Sequence, residues 1–245
     1  AMALLVTACR SPARERARVL ARTDQALAAG APDRAEAGLR AMLRYDPRDR
    51  EVALRLAQIL LAQGRASEAS DALQTLPEDV PLDPDMQRLH VRLSLQMGRL
   101  PQAARTLAAT DGTDDELKQE LLRRLSATPD RTAVAALRPA WRRELAEHML
   151  QDGSRGNALE IYEGLRITGF ADPEAHVRMA ELYLEDDRPE EARRVLQAGG
   201  VDHPKRRPLE VESLVRLGQI AEAAGLATDP GLRGAVLKGL ALAPL

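Results

Sequence analysis

Residues 54–76 read LRLAQILLAQGRASEASDALQTL, and this stretch decides the fold of the chain. It contains two short segments with apolar residues at helical spacing, joined at Gly64, and the small residue Ala69 follows five positions later. Apolar residues three and four positions apart lie on one face of a helix. The stretch therefore predicts a helix, a turn and a second helix.

The same pattern returns along the chain, with a period of 34 residues in its first part. Glycines lie 34 residues on either side of Gly64, and alanines lie 34 residues on either side of Ala69. The full set of pairs, with aspartate once in place of glycine, is Gly30/Ala35, Gly64/Ala69, Gly98/Ala103, Gly153/Ala158, Asp187/Ala192 and Gly218/Ala223. A period of this kind indicates a repeat array, in which each unit packs on its neighbours.

A 34-residue period with a helix, a turn and a helix in each unit resembles the tetratricopeptide repeat (TPR) family. The resemblance covers most of residues 15–228. It implies an all-α fold, a right-handed superhelical solenoid of antiparallel helix pairs. In that family the alanines allow the two helices of a unit to approach closely, and the glycines allow turn angles that other residues avoid. Aspartate tolerates such turns better than most residues, so Asp187 is expected to replace a glycine.

The spacing also divides the chain into segments. Residues 11–110 are expected to hold N-terminal repeats and residues 139–228 C-terminal repeats. Between them the register breaks, because Gly98 and Gly153 are 55 residues apart, which is not two periods. We expect residues 111–138 to be a degenerate repeat at which the array bends.

Three further helical patterns complete this organisation. Within the degenerate repeat, residues 115–126 and 130–138 have helical patterns, capped by Asp114 and by Pro129-Asp130. Residues 229–245 are expected to form a helix that caps the end of the stack. Its packed side is expected to carry Leu232, Val236, Leu237 and Leu240.

The N-terminus carries a separate signal. Residues 2–9, MALLVTAC, are apolar up to the lone cysteine, and the chain turns polar at Arg10. This resembles the end of a bacterial lipoprotein signal, in which an aliphatic residue and small residues precede the cysteine that receives lipid. The resemblance implies that residues 1–10 are a signal remnant, that Cys9 is lipidated and that the protein is an outer-membrane lipoprotein facing the periplasm. The alternative is that these residues begin the first helix of a soluble cytoplasmic adaptor.

Composition argues against several classes of function. The net charge of −2, with both signs interspersed, argues against a nucleic-acid partner and leaves a lipid anchor as the only expected membrane contact. The four histidines fall in different units without an HExxH pair, so neither a metal site nor a cofactor is expected. Nucleophile-elbow, phosphate-loop and dinucleotide motifs do not occur, and the chain is not expected to be an enzyme. A cell-wall enzyme like the lytic transglycosylases would need an appended catalytic domain, which nothing in the chain resembles.

The expected function is therefore that of a scaffold for a protein or peptide partner, in an assembly, secretion, pilus or polysaccharide-export system. In TPR arrays the first helices of successive units line a concave groove. The resemblance places nine residues in it: Gln58, Leu61, Arg88, Arg92, Leu95, Arg143, Glu147, Leu150 and Glu181. Arg88 and Arg92 are four positions apart and project from the same side of one helix. Two guanidinium groups so placed suit an acidic or C-terminal peptide group, and the alternative is that both are ordinary solvated residues.

Overall fold

The computed structural model describes residues 12–77, 83–110, 114–170, 172–198 and 202–242. These residues form helices joined by short turns, with no strand among them, which confirms the predicted all-α class. The helices are α1 (Pro12–Ala28), α2 (Pro32–Tyr45), α3 (Arg50–Ala62), α4 (Ala66–Gln74), α5 (Pro84–Gln96), α6 (Leu100–Ala109), α7 (Asp115–Ala127), α8 (Arg131–Ala136), α9 (Pro139–Gln151), α10 (Arg155–Ile167), α11 (Pro173–Glu185), α12 (Pro189–Gln197), α13 (Arg206–Arg216), α14 (Ile220–Leu226) and α15 (Pro230–Leu242). Among them, none is both long enough and apolar enough to cross a bilayer.

The turn inside each helix pair depends on a left-handed residue. At Gly64 the φ angle is +77°, the N–H of Gly64 donates to the carbonyl of Leu61 at 2.9 Å, and the N–H of Arg65 donates to the carbonyl of Leu60 at 2.9 Å. This is a Schellman ending, which satisfies the last carbonyls of the first helix. The φ angle is also positive at every other predicted turn residue, namely Gly30, Gly98, Gly153, Asp187 and Gly218. Asp187, with φ +55°, therefore replaces a turn glycine as predicted.

The alanines that follow these turns are all buried. Ala35 is 1% exposed, and Ala69, Ala103, Ala158, Ala192 and Ala223 are each 0% exposed. A methyl side chain at these points lets the second helix approach the first closely, because a larger group would have to displace close-packed neighbours. The packing role predicted for the alanines is confirmed.

The chain forms two compact units. Unit 1 contains α1 to α6 and α8, unit 2 contains α9 to α15, and the division falls within α7 between Leu121 and Leu122. In unit 1 successive helices pair, α2 packs on α3, α4 packs on α5, and α8 packs on α6. In unit 2 the pairs are α9 with α10, α11 with α12 and α13 with α14, and α15 packs on the last pair. Each unit is a short stack of helix pairs of the predicted kind.

The segment between the regular repeats is helical, as predicted. α7 and α8 occupy nearly the expected ranges, and both expected caps are present. The N–H of Leu117 donates to Asp114 Oδ1 at 3.2 Å, and the N–H of Ala133 donates to Asp130 Oδ1 at 2.9 Å. Each carboxylate satisfies an amide that has no partner inside its helix. The bend expected here stays a prediction.

The last helix packs through fewer residues than predicted. Val236 is buried with Val211, Leu214 and Ala223, and Leu232 is half-buried against them. Leu237 is 65% exposed, so its expected place on the packed side is wrong. The reason is rotation, since each residue turns a helix by about 100° and Leu237 directly follows the buried Val236. The side chain of Leu240 lies outside the described part of the structure.

Candidate protein-binding surfaces on the first helices

The residues predicted for the groove all lie on the first helices of their pairs. Gln58 and Leu61 lie on α3; Arg88, Arg92 and Leu95 on α5; Arg143, Glu147 and Leu150 on α9; and Glu181 on α11. The first five belong to unit 1 and the last four to unit 2.

In unit 1 a cleft of about 630 Å³ lies between α1 and α3, and we call it the α1–α3 cleft. Its lining comprises Thr23, Asp24, Leu27, Pro32, Arg55, Gln58, Ile59, Ala62 and Gln63. Leu27 is 43% exposed. Gln58 is exposed, and its amide has no hydrogen bond within the part of the chain that the structure describes. The cleft thus offers apolar surface next to an unused donor and acceptor.

The charged groups of the α1–α3 cleft are already paired. Arg55 Nη1 donates to Asp24 Oδ1 at 2.7 Å, and Arg55 Nη2 lies 3.2 Å from Glu51 Oε1. Gln63 Nε2 donates to Asp33 Oδ1 at 3.2 Å. The contacts of Arg55 with Asp24 and of Gln63 with Asp33 join the first helix pair to the second, whereas Arg55 and Glu51 both lie on α3. They leave Gln58 and the apolar lining as the groups open to a partner.

The two predicted arginines of α5 are both exposed. Arg88 Nε lies 3.6 Å from Asp114 Oδ2 and Arg88 Nη1 lies 3.5 Å from Asp85 Oδ1, which are loose contacts. The guanidinium group of Arg92 has no ion pair or hydrogen bond with another described residue. Of the two guanidinium groups, that of Arg92 is the one open to an anionic group.

Leu95 does not line an open surface, and its predicted place in the groove needs correction. It is 3% exposed. The reason is that α5 packs on three helices, α3, α4 and α6, which cover this side chain. Leu61 is half-buried and packs against the core of unit 1, so it presents only part of its side chain.

In unit 2 each of these first-helix charges has a partner on a neighbouring residue or helix, and we call the set the charged ladder. It comprises Arg143 and Glu147 on α9, Arg178 and Glu181 on α11, and their partners Asp172 and Lys205. Arg143 Nε lies 3.2 Å from Asp172 Oδ2. Arg178 Nη1 donates to Glu181 Oε2 at 2.8 Å, and its Nε lies 3.8 Å from Glu147 Oε2. Lys205 Nζ donates to Glu181 Oε1 at 2.9 Å.

Burial and pairing shift the pKa values along this ladder. Tyr162 donates its hydroxyl to Glu147, and burial, followed by this hydrogen bond, raises the pKa of Tyr162 well above its usual range. Partial burial acts to raise the pKa of Glu181, but the hydrogen bonds from Lys205 and Arg178 outweigh it and the pKa is lowered. Glu147 and Glu181 are thus held by their neighbours. Arg143, Glu147 and Glu181 link successive first helices through these ion pairs, and Leu150 is half-buried. Their place in a groove stays a prediction.

Comparison with known proteins agrees with this architecture. Residues 26–93, from the end of α1 into α5, match the family model of the tetratricopeptide repeat. These residues carry tetratricopeptide repeats. No curated protein matches this chain.

Several solved structures are similar to this chain at low identity. Pseudomonas aeruginosa PilF is 16% identical, with 88% of this chain and 90% of that chain covered and a TM-score of 0.34. A tetratricopeptide repeat protein of Parabacteroides merdae is 14% identical, with 92% and 98% covered and a TM-score of 0.40. A thermophilic TPR protein of Thermus thermophilus is 18% identical, with 93% and 100% covered and a TM-score of 0.30.

The sequence prediction did not include the part of the binding surface that α1 contributes. Leu27 lies three residues before the turn residue Gly30, and Leu61 lies three residues before Gly64. Asp24 and Gln58 likewise each lie six residues before the turn glycine of their own pair. The same register therefore applied to α1 selects both residues, and both line the α1–α3 cleft. The signal was present in the repeat period.

Two other predictions concern the lipidation site and metal binding. Cys9, the predicted lipidation site, lies outside the described residues. Within residues 12–242, apart from the gaps given above, no group of three or more histidine, aspartate or glutamate side chains is placed to hold a metal ion.

Proposed function

We propose that the chain is a protein-interaction scaffold that holds an extended segment of a partner in the α1–α3 cleft. The observation that carries the proposal is the exposed Leu27, at 43%, in the same cleft as the unbonded amide of Gln58. A glutamine amide can donate to one backbone carbonyl and accept from one backbone N–H of an extended peptide. The apolar groups of Leu27, Ile59 and Ala62 suit an apolar side chain of the same segment.

The contrast with unit 2 supports the choice of unit 1. Every charge of the charged ladder has an intramolecular partner, so a ligand that used one of them would first have to displace a neighbour. Removing one member of a partly buried pair leaves the other uncompensated, which costs free energy. Binding at the α1–α3 cleft requires no such exchange at Gln58.

Peptide selection followed by affinity measurement tests this proposal. Peptides selected on the full chain from a random display library should bind the Leu27→Lys variant at least about tenfold more weakly, a loss of about 1.4 kcal/mol. Gln58→Ala should weaken the same peptides by about threefold to tenfold, the range for a hydrogen bond worth about 0.5–1.5 kcal/mol.

Leu237→Lys is the matched control for that experiment. Leu237 is also an exposed leucine on a helix, at 65%, but it lies on α15. It should leave binding unchanged. An equal loss from Leu27→Lys and Leu237→Lys, or no loss from either, would show that the α1–α3 cleft is not the binding site.

We further propose that the scaffold is a lipoprotein of the bacterial envelope, anchored through lipid on Cys9, that serves an assembly, secretion, pilus or polysaccharide-export system. The support is the sequence LVTAC at residues 5–9. The protein produced with a complete signal should incorporate a fatty-acid analogue and sediment with membranes, and Cys9→Ser should do neither. Absence of label from the unsubstituted protein would favour a soluble cytoplasmic adaptor instead.

A further inference from the structure

A second groove in unit 1, of about 570 Å³, is lined only by α1, α2 and the turn between them. We call it the α1–α2 groove. Its lining is Val19, Arg22, Thr23, Gln25, Ala26, Ala29, Ala31, Arg34 and Gly38. Most of that surface is apolar. The groove is separate from the α1–α3 cleft, although Thr23 lies between the two.

The charge of the α1–α2 groove is positive and uncompensated. Arg22 and Arg34 are exposed, and neither guanidinium group has a hydrogen bond or ion pair with another described residue. No acidic residue is part of the lining. Most other arginines of the first two helix pairs are bonded, among them Arg16, Arg40, Arg55 and Arg65. Arg22 and Arg34 are therefore free to pair with carboxylates from outside the described chain.

The next helix pair shows what fills the equivalent place. In α2 the fourth residue after the turn glycine Gly30 is Arg34. In α4 the fourth residue after its own turn glycine is Glu68. Glu68 Oε2 accepts from Arg40 Nη2 of α2 at 2.9 Å. The preceding second helix thus supplies the opposite charge. In unit 2 the same position is Glu222, which accepts from Arg193 of the preceding helix α12 at 2.7 Å.

A second equivalence points the same way. Arg22 lies eight residues before its turn glycine, where the next pair has Leu56. Leu56 is 2% exposed in the core that α2, α3 and α4 share. In the second pair this position, Leu56, is covered by α2. In the first pair the equivalent position, Arg22, is exposed and charged. Both positions carry a positive charge that an acidic covering helix would neutralise.

We infer that the α1–α2 groove receives an acidic amphipathic helix of a partner protein, in the place that α2 takes against α3 and α4. The apolar side of that helix packs on Val19 and Ala26, and its carboxylates pair with Arg22 and Arg34. Charge-assisted pairs of this kind are the strong ones among hydrogen bonds. Residues 2–9 contain no carboxylate and cannot supply the countercharge.

The chain itself provides a matched pair of probes. The first is a stapled synthetic helix with the sequence of residues 32–45 and the substitution Arg40→Glu, and the second keeps Arg40. By the repeat equivalence, position 40 of the probe faces Arg34 of the protein. We expect the full chain to bind the glutamate probe at least about tenfold more tightly than the arginine probe, about 1.4 kcal/mol, measured by fluorescence anisotropy.

Charge exchange makes the test specific. In the Arg34→Glu variant the preference should reverse, while Arg105→Glu, at an exposed and unpaired arginine of α6, should keep the preference of the unsubstituted chain. No binding of the glutamate probe, equal binding of both probes, or a preference that Arg34→Glu does not change would overturn the inference. A dimer of the unsubstituted chain that Arg34→Glu dissociates would assign the groove to a second copy and would also overturn it.

Discussion

A pair of glycine substitutions in unit 2 separates the turn role from the helix role. A Cβ added at Gly153 would meet no heavy atom within 4 Å, so Gly153→Ala creates no clash. The cost comes from the backbone, because φ is +79° and a left-handed residue with a Cβ costs about 1–2 kcal/mol. Alanine also restricts the unfolded chain, which offsets about 0.4–1 kcal/mol. We expect Gly153→Ala to destabilise the protein by about 1 kcal/mol.

Gly164→Ala is the matched variant on the following helix. A Cβ added at Gly164 also meets nothing within 4 Å, but Gly164 lies inside α10 with ordinary helical angles. Alanine in a helix interior is more stable than glycine by about 0.5–1 kcal/mol. The two substitutions are chemically identical and should have opposite signs, with a gap of about 1.5–2 kcal/mol.

Thermal unfolding followed by far-UV circular dichroism measures this gap. For a chain of this size 1 kcal/mol shifts the Tm by about 2–4 °C, so the two variants should differ by about 3–8 °C. The Tm of Gly153→Ala should lie below that of the unsubstituted protein, and the Tm of Gly164→Ala above it. Shifts of the same sign would refute the assignment of left-handed turns to the repeat glycines.

Three further predictions concern packing, pH and binding. Ala69→Arg places a long charged side chain at a position that is 0% exposed and should destabilise unit 1 strongly; a Tm within about 2 °C of the unsubstituted value would refute it. Hydrogen bonding, first from Arg65, lowers the pKa of Glu36 below the ordinary 4.5. The ionised Glu36 carboxylate therefore stabilises the fold above pH 4.5, and this stabilisation is lost as the pH falls below that value. The Tm of Glu36→Gln should therefore vary less between about pH 5 and pH 3 than that of the unsubstituted protein, and parallel curves would contradict this. Arg92→Glu should weaken capture of an acidic peptide by more than about tenfold, whereas Arg105→Glu should not, and similar losses from both would exclude a specific role for Arg92.

The regular parts of the fold could be predicted because the repeat period records local geometry. A glycine after an apolar helical stripe marks the point at which the backbone turns left-handed, and this held even where Asp187 replaces glycine. A small residue five positions later marks the close approach of two helices, and these alanines are buried. Both signals depend on residues close together in sequence.

Contacts between successive pairs were harder to predict. The period shows which side of α9 faces its neighbours, but the pairing of Glu147 with Tyr162 depends on the lengths and directions of two side chains. In the same way Leu95 and Leu27 occupy equivalent places, yet one is 3% and the other 43% exposed. The difference arises because further helices pack around α5, while α1 belongs to the first described pair. Sequence spacing alone does not contain that information.

The central claim is that the partner segment lies in the α1–α3 cleft, and site-specific photo-crosslinking in the native cell tests it most directly. A photoreactive residue at position 58 reports on the cleft, and one at position 105, exposed on α6, reports on the second-helix side of the same unit. We predict that one partner is crosslinked from position 58 and not from position 105. A partner crosslinked from position 105 alone would contradict the account.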